Sequence, residues 1–254
     1  MTGPLVIGVS LKMYFGLRAA HDWCRAVAAL VADRPELAEG RTVLFVAPSH
    51  LAIPGAGNAF AGTPVRVAAQ DVAADEAGPY TGEVSAAELA EAGVAVVEIG
   101  HAERRRLFGE TDVTVAAKVA AAARHGLTPL VCVGARPHED AAGVAEGQLR
   151  AALAGKPAGP VWVAYEPLAS IGAAQPAPAS EVTPVTRRLR EVLAEVTGRP
   201  DGAVLYGGSA GPGLLGELAD GVDGLFLGRF AHDPARLAQV LDEAAAHLAT
   251  GGRR

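Results

Sequence analysis

The sequence predicts a single closed barrel of eight parallel strands wrapped by helices, a (β/α)8 fold, and three observations predict it. The chain has 254 residues, close to the roughly 250 typical of that architecture. Short Val/Leu/Ile-rich runs alternate with longer Ala-rich amphipathic stretches from end to end, the pattern of strands and helices taking turns around a parallel sheet. Each apolar run is near-continuous rather than alternating, as strands covered on both faces require.

The strands are expected, in order, at residues 5–9, 42–47, 65–69, 94–99, 128–133, 161–165, 203–206 and 224–227. The helices between them are expected at 17–32, 50–60, 86–92, 112–125, 140–154, 181–197, 212–218 and 234–248. Eight pairs favour a closed sheet over an open one. Asp233-Pro234 reads as an N-cap followed by proline at the first helical position. Gly126, after Arg124-His125, reads as a helix stop with basic residues in the last turn. The segment QPAPA at 175–179 is rich in proline but follows a strand directly, so it reads as a loop. Nothing separates two domains, and residues 1–254 are taken as one; residues 250–254 are expected to fray. No self-similarity indicates a solenoid.

Half of the residues are hydrophobic and 5% are aromatic, so the core is expected to consist mainly of Val, Leu, Ile and Ala. A net charge of −6 argues against a nucleic-acid partner, which needs a basic face. It leaves room for a small phosphate, which backbone N–H groups can hold without net positive charge. No apolar run of membrane-spanning length and no signal-peptide pattern is present in the sequence, so neither a membrane nor export is expected. Cys24 and Cys132 form no disulfide framework or metal pattern, and a reducing cytoplasm is the default. Cys132 reads as a small buried hydrophobe.

In such a barrel, side chains at the C-terminal ends of strands point into the site. Lys12 follows the first strand, His101 and Glu103 the fourth, and Glu166 the sixth. Glycine-bearing turns, Gly207-Gly208-Ser209 and Gly228, follow the seventh and eighth and offer N–H groups to a phosphate. Taken singly, each has a plainer reading. Lys12 could be solvated, His101 a cap, and Glu166 a surface acid. Glu103, Arg104 and Arg105 read equally well as an ion-pair cluster, and Gly207-Gly208 as a tight turn. The histidines at 21, 50, 125, 138 and 232 lack a partner motif and read as surface or structural, with His232 just beyond the eighth strand.

Eight phrases in order, VSLKMY, AAQDV, YTGEVS, EIGHAERRRLFGETD, LVCVGA, AYEPLASIG, LYGGSAGPG and DGLFLGRFA, together resemble the triosephosphate isomerase family across nearly the whole chain. The resemblance implies aldose–ketose isomerisation of dihydroxyacetone phosphate and glyceraldehyde 3-phosphate through an enediolate. It implies Glu166 as the base, neutral His101 as the donor to the oxygens and Lys12 as the charge beside them, the pairing known for that family. Glu103 would be a second carboxylate touching Lys12 or shuttling protons. Ser10 and Lys12 would contact substrate. Gly172, Ser209, Gly228 and Arg229 would hold the phosphate, and residues 167–177 would close as a lid. No metal and no organic cofactor is implied. A homodimer through the loop at 71–83, which keeps Thr81-Gly82-Glu83, is implied as well.

The departures from the family pattern bear on the substrate. Serine stands at 10 for asparagine, Leu11 for tryptophan, Ala102 for serine and Ala135 for glutamate. The lid reads Leu168-Ala169-Ser170-Ile171-Gly172-Ala173-Ala174, without the usual tryptophan and threonine-glycine pair. Arg229, followed by Phe230, replaces the second phosphate-loop glycine. Serine near the lysine and Gly-Arg after the eighth strand are similar to a branch of the family that acts on erythrulose phosphates. Three alternatives therefore stand beside the triose reading: a four-carbon ketose phosphate isomerase, a non-catalytic sugar-phosphate binder, and an indole- or phosphoribosyl-handling barrel. The last leaves the histidine phrase unexplained.

Overall fold

A computed structural model describes residues 3–198, 202–218 and 221–250; most of the tail expected to fray lies outside them. Eight strands close a barrel in chain order. They are β1 (Leu5–Ser10), β2 (Thr42–Ala47), β3 (Arg66–Ala69), β4 (Val96–Ile99), β5 (Thr128–Val133), β6 (Trp162–Tyr165), β7 (Ala203–Tyr206) and β8 (Gly224–Leu227). Every neighbouring pair is parallel, and β8 returns to β1 with Gly224 opposite Val6. The third, fourth and sixth strands start one or two residues later than the apolar runs suggest, because Val65, Val94 and Val161 are buried in the turns leading in.

The helices are α1 (Leu17–Val31), α2 (Pro35–Ala38), α3 (Ile53–Phe60), α4 (Ala86–Glu91), α5 (Ala102–Phe108), α6 (Asp112–Arg124), α7 (Ala141–Ala152), α8 (Ala179–Thr197), α9 (Leu214–Leu218) and α10 (Pro234–Ala249). The expected helix at 50–60 opens with a 3-10 turn over His50–Ala52. Side-chain caps start several of them: Ser85 accepts from the Glu88 N–H, Thr111 from Thr114, and Asp140 from Gly143. Asp233 caps α10 with Pro234 at its first position, and Gly126 follows α6 with φ 72. Two helices were not foreseen. α2 is one turn begun by Pro35. α5 buries none of its residues, so its sequence carries no apolar period to betray it.

The core forms two shells. One lies between strands and helices and is mainly aliphatic, with Ile7, Val9, Val27, Leu149, Leu189 and Leu237 among its members. The other fills the barrel. There the aliphatic majority is joined by three rings: Phe45 stacks on Phe226 at 5.8 Å and lies 5.7 Å from Trp162. The absence of a side chain at Gly8 makes this possible, since a Cβ there would collide with Phe45 Cζ. The aromatic plug closes the barrel beneath the C-terminal rim. Among the described residues, no helix is long and apolar enough to cross a membrane.

Candidate active site

Ser10 ends β1, and Lys12 follows in a left-handed conformation, φ 47, which a lysine adopts only when its surroundings hold it there. Gln70, just beyond β3, supplies that hold: its Nε2 donates to Lys12 O at 3.1 Å and to Ala47 O at 2.9 Å. The turn aims the Lys12 ammonium at Glu103 Oε1, 2.9 Å away, and places it 3.4 Å from His101 Nε2.

His101 caps α5, and its Nδ1 accepts from the Glu103 N–H at 3.1 Å. A neutral imidazole that accepts at Nδ1 carries its proton on Nε2. That Nε2 faces Glu166 Oε2 at 3.4 Å and Glu98 Oε1 at 3.9 Å. Glu166, Glu98 and His101 are only 2%, 4% and 5% exposed, so their proton affinities are set by burial and by one another. Burial, reinforced by the Lys12 ammonium, lowers His101 to about 4. Burial, reinforced by Glu98 and opposed by Lys12, raises Glu166 well above the ordinary carboxylate range. Burial pushes Glu98 up to about 7, opposed by Lys12 and by the Ser10 hydroxyl that donates to its Oε2 at 3.1 Å. Burial disfavours the charged forms of Lys12 and Glu103, but their mutual ion pair outweighs it; Lys12 is raised and Glu103 lowered. Glu166 Oε2 is buried with no hydrogen bond.

Ser10, Lys12, His101, Glu103 and Glu166 line a cavity of about 890 Å³ that also receives Gly172, Ser209, Gly228 and Arg229. The backbone N–H groups of Gly172, Ser209 and Gly228 make no hydrogen bond among the described residues, as an anion site requires. Gly207 differs: its N–H is taken by Tyr165 O at 2.9 Å. Its lack of a side chain instead makes room for Glu166, whose Cγ would lie 2.8 Å from a Cβ there. The Ser209 hydroxyl reaches Ser170 O at 2.8 Å and Ala173 O at 2.6 Å. Arg229 donates to Gly172 O at 2.8 Å, and the Tyr206 hydroxyl accepts from the Ala177 N–H at 2.9 Å. Residues 167–177 are thus drawn down over the cavity.

All the side chains expected at the site converge. Of the three residues read as one ion-pair cluster, Glu103 goes to Lys12, Arg104 to Asp71 and Glu110, and Arg105 to Asp112. Asp71, the first residue of the loop expected to dimerise, is buried against Lys118. His232 packs edge-on to Tyr14 and Phe15 beside the site, and Cys132 belongs to the barrel interior. Sequence reasoning missed Glu98, Gln70 and Tyr206. Glu98 had a signal, since it stands two residues after the inward Val96 and so faces the barrel axis. In chemical terms, a buried carboxylate faces a neutral N–H donor beside an ammonium and an anion cradle, which suits proton abstraction next to a carbonyl.

Comparison with known proteins agrees. The family model described as triosephosphate isomerase matches residues 5–244. A Pectobacterium atrosepticum protein named L-erythrulose-1-phosphate isomerase is 47% identical, covering 94% of this chain and 95% of its own length. A second protein of that name, from Rhizobium etli, is 41% identical over 89% of this chain and 86% of its own. A triosephosphate isomerase from Synechococcus is 35% identical, covering 94% and 96%. With the closed barrel and the site geometry, these matches establish that the chain belongs to the triosephosphate isomerase family and is an isomerase of phosphorylated sugars.

Proposed function

We propose that the substrate is a four-carbon ketose 1-phosphate, L-erythrulose 1-phosphate, and that the carbonyl moves from C2 to C3. The observation that carries the chemistry is the meeting of the Glu166 carboxylate with the Nε2–H of His101 beside Lys12. The phosphate binds the N–H groups of Gly172, Ser209 and Gly228 and the Arg229 guanidinium. Glu166 takes the proton from C3, the C3–H electrons form the C2–C3 double bond, and the carbonyl pair moves onto O2. The His101 N–H donates to the oxygens of this enediolate, and Lys12 balances its charge. The proton is returned to C2, the O3 proton passes by way of the His101 imidazole to O2, and a hydroxyl stands at C2 with a carbonyl at C3. Burial helps twice: His101 stays neutral at physiological pH, and Glu166 is a stronger base than an exposed carboxylate. Residues 167–177 act as a lid that keeps water from the intermediate.

Four carbons are preferred to three because the relatives at 47% and 41% identity carry the four-carbon name and because Ser10 and Arg229 depart from the triose pattern. The triose reading is supported by the unaltered base, imidazole and lysine and by relatives named triosephosphate isomerase. Assaying L-erythrulose 1-phosphate and dihydroxyacetone phosphate side by side decides between them; the four-carbon kcat/KM is expected to be the larger. Glu166→Gln is expected to lower kcat by about 10²–10⁴ while the variant still binds substrate. If neither substrate exchanges a carbon-bound proton with solvent, the protein is a binder and the catalytic reading fails. A homodimer belongs to the same proposal. The exposed Tyr80 within the 71–83 loop, and Met13 and Tyr14 beside Lys12, supply apolar contact surface, and a monomer in sedimentation at micromolar concentration contradicts it.

A further inference from the structure

Directly above the aromatic plug, the barrel axis carries a polar layer. Ser10 stands two residues after Gly8 on β1, and Glu98 two after Val96 on β4. These strands are not neighbours in the sheet, so the Ser10–Glu98 hydrogen bond, 3.1 Å long, spans the barrel. Ser10 faces the cavity while both residues are buried. Lys12 already has Glu103 as its ion-pair partner, so a second carboxyl under it adds a desolvation cost that charge pairing there does not require. Its service is to Ser10. Because the Ser10 hydroxyl spends its one proton on Glu98, its lone pairs are left to accept from whatever occupies the cavity.

A ketose 1-phosphate is a linear chain. With its phosphate among the loops after β6, β7 and β8, and C3 at Glu166, only the C4 hydroxymethyl lies beyond the reacting carbons. A three-carbon ketose carries a hydrogen there. A buried hydroxymethyl needs a hydrogen-bond partner. We propose that the Ser10–Glu98 pair is the subsite for that hydroxymethyl group, with Ser10 accepting its hydroxyl proton and Glu98 as the positioning residue that orients Ser10. This rests on the four-carbon reading above.

The test measures two quantities in each protein: kcat/KM for L-erythrulose 1-phosphate, and the inhibition constant of dihydroxyacetone phosphate in the same assay. Sites built to bond a hydroxyl discriminate strongly against ligands that do not complete the bond. In Ser10→Ala and in Glu98→Leu, the four-carbon kcat/KM is expected to fall about 10- to 100-fold further than affinity for the three-carbon competitor. The double variant is expected to be no worse than Ser10→Ala, because both changes break one interaction. Glu98→Gln keeps an oxygen that accepts from Ser10 and is expected to stay within about threefold of the parent in the same ratio, and it retains the shape of the site should leucine disturb folding. Equal losses for both ligands, additive effects in the double variant, or a glutamine variant as poor as leucine each overturn the subsite and leave the four-carbon reading standing. A parent that does not turn over L-erythrulose 1-phosphate overturns both.

Discussion

Glu98 and His101 lie within 4 Å of each other, and burial displaces them in opposite directions. The folded protein holds the Glu98 proton up to about 7, whereas the unfolded chain releases it near 4.5. Between those values raising the pH favours the unfolded state, so stability present below 4.5 is lost by 7. His101 works the other way. The unfolded chain takes a proton near 6.5 that the folded protein refuses down to about 4, so stability present above 6.5 is lost as pH falls to 4. Each shift corresponds to about 3 kcal/mol, and over their shared window the two nearly offset. Glu98→Gln removes the first, and by taking a neighbouring charge from Glu166 it eases that carboxyl's upward shift in the same direction. Its stability relative to the parent is expected to improve by about 3 kcal/mol between pH 4.5 and 7, measured by urea denaturation. A difference that stays constant with pH contradicts the proton affinity assigned to Glu98.

Among the elements, α5 and the segment over the cavity matter most. α5 fixes the imidazole, because the N–H of Glu103 near its start is what Nδ1 accepts. The segment at 167–177 is tied to β7 by the Tyr206 hydroxyl. Tyr206→Phe deletes that tie and keeps the ring. With about 1 kcal/mol of closure lost, kcat/KM is expected to fall about fivefold. More turnovers should also end in inorganic phosphate, because an enediolate open to water can expel its phosphate. Unchanged phosphate release per turnover means that Tyr206 does not govern closure. These two elements also show where the sequence was readable. Strands and long helices declare themselves through apolar runs and periods. α5, half-buried at its start and exposed at its end with no residue fully buried, declares itself through neither.

For the whole molecule, the closing seam is the critical place. Gly224 pairs with Val6 where β8 meets β1, at φ 155, and a Cβ there would strike the Val6 backbone. Gly224→Ala is therefore expected to cost at least about 3 kcal/mol, seen as a lower urea midpoint; a parent-like midpoint contradicts the tight seam. The architecture and the residues gathered at the rim were legible because strand order and inward register bring Lys12, His101 and Glu166 together whatever the fine packing. The aromatic plug and the Ser10–Glu98 bond were not. Both depend on which side chains meet across the axis between strands far apart in sequence, and no single run of residues records that.

The grip on the covering segment has one more consequence. Ser209, Tyr206 and Arg229 all grasp main-chain atoms: the carbonyls of Ser170, Gly172 and Ala173 and the amide of Ala177. A peptide unit presents those groups whatever side chain it bears. The covering strip can therefore drift in sequence, trading tryptophan and threonine for alanine, while the residues that hold it keep the same main-chain atoms in their grasp.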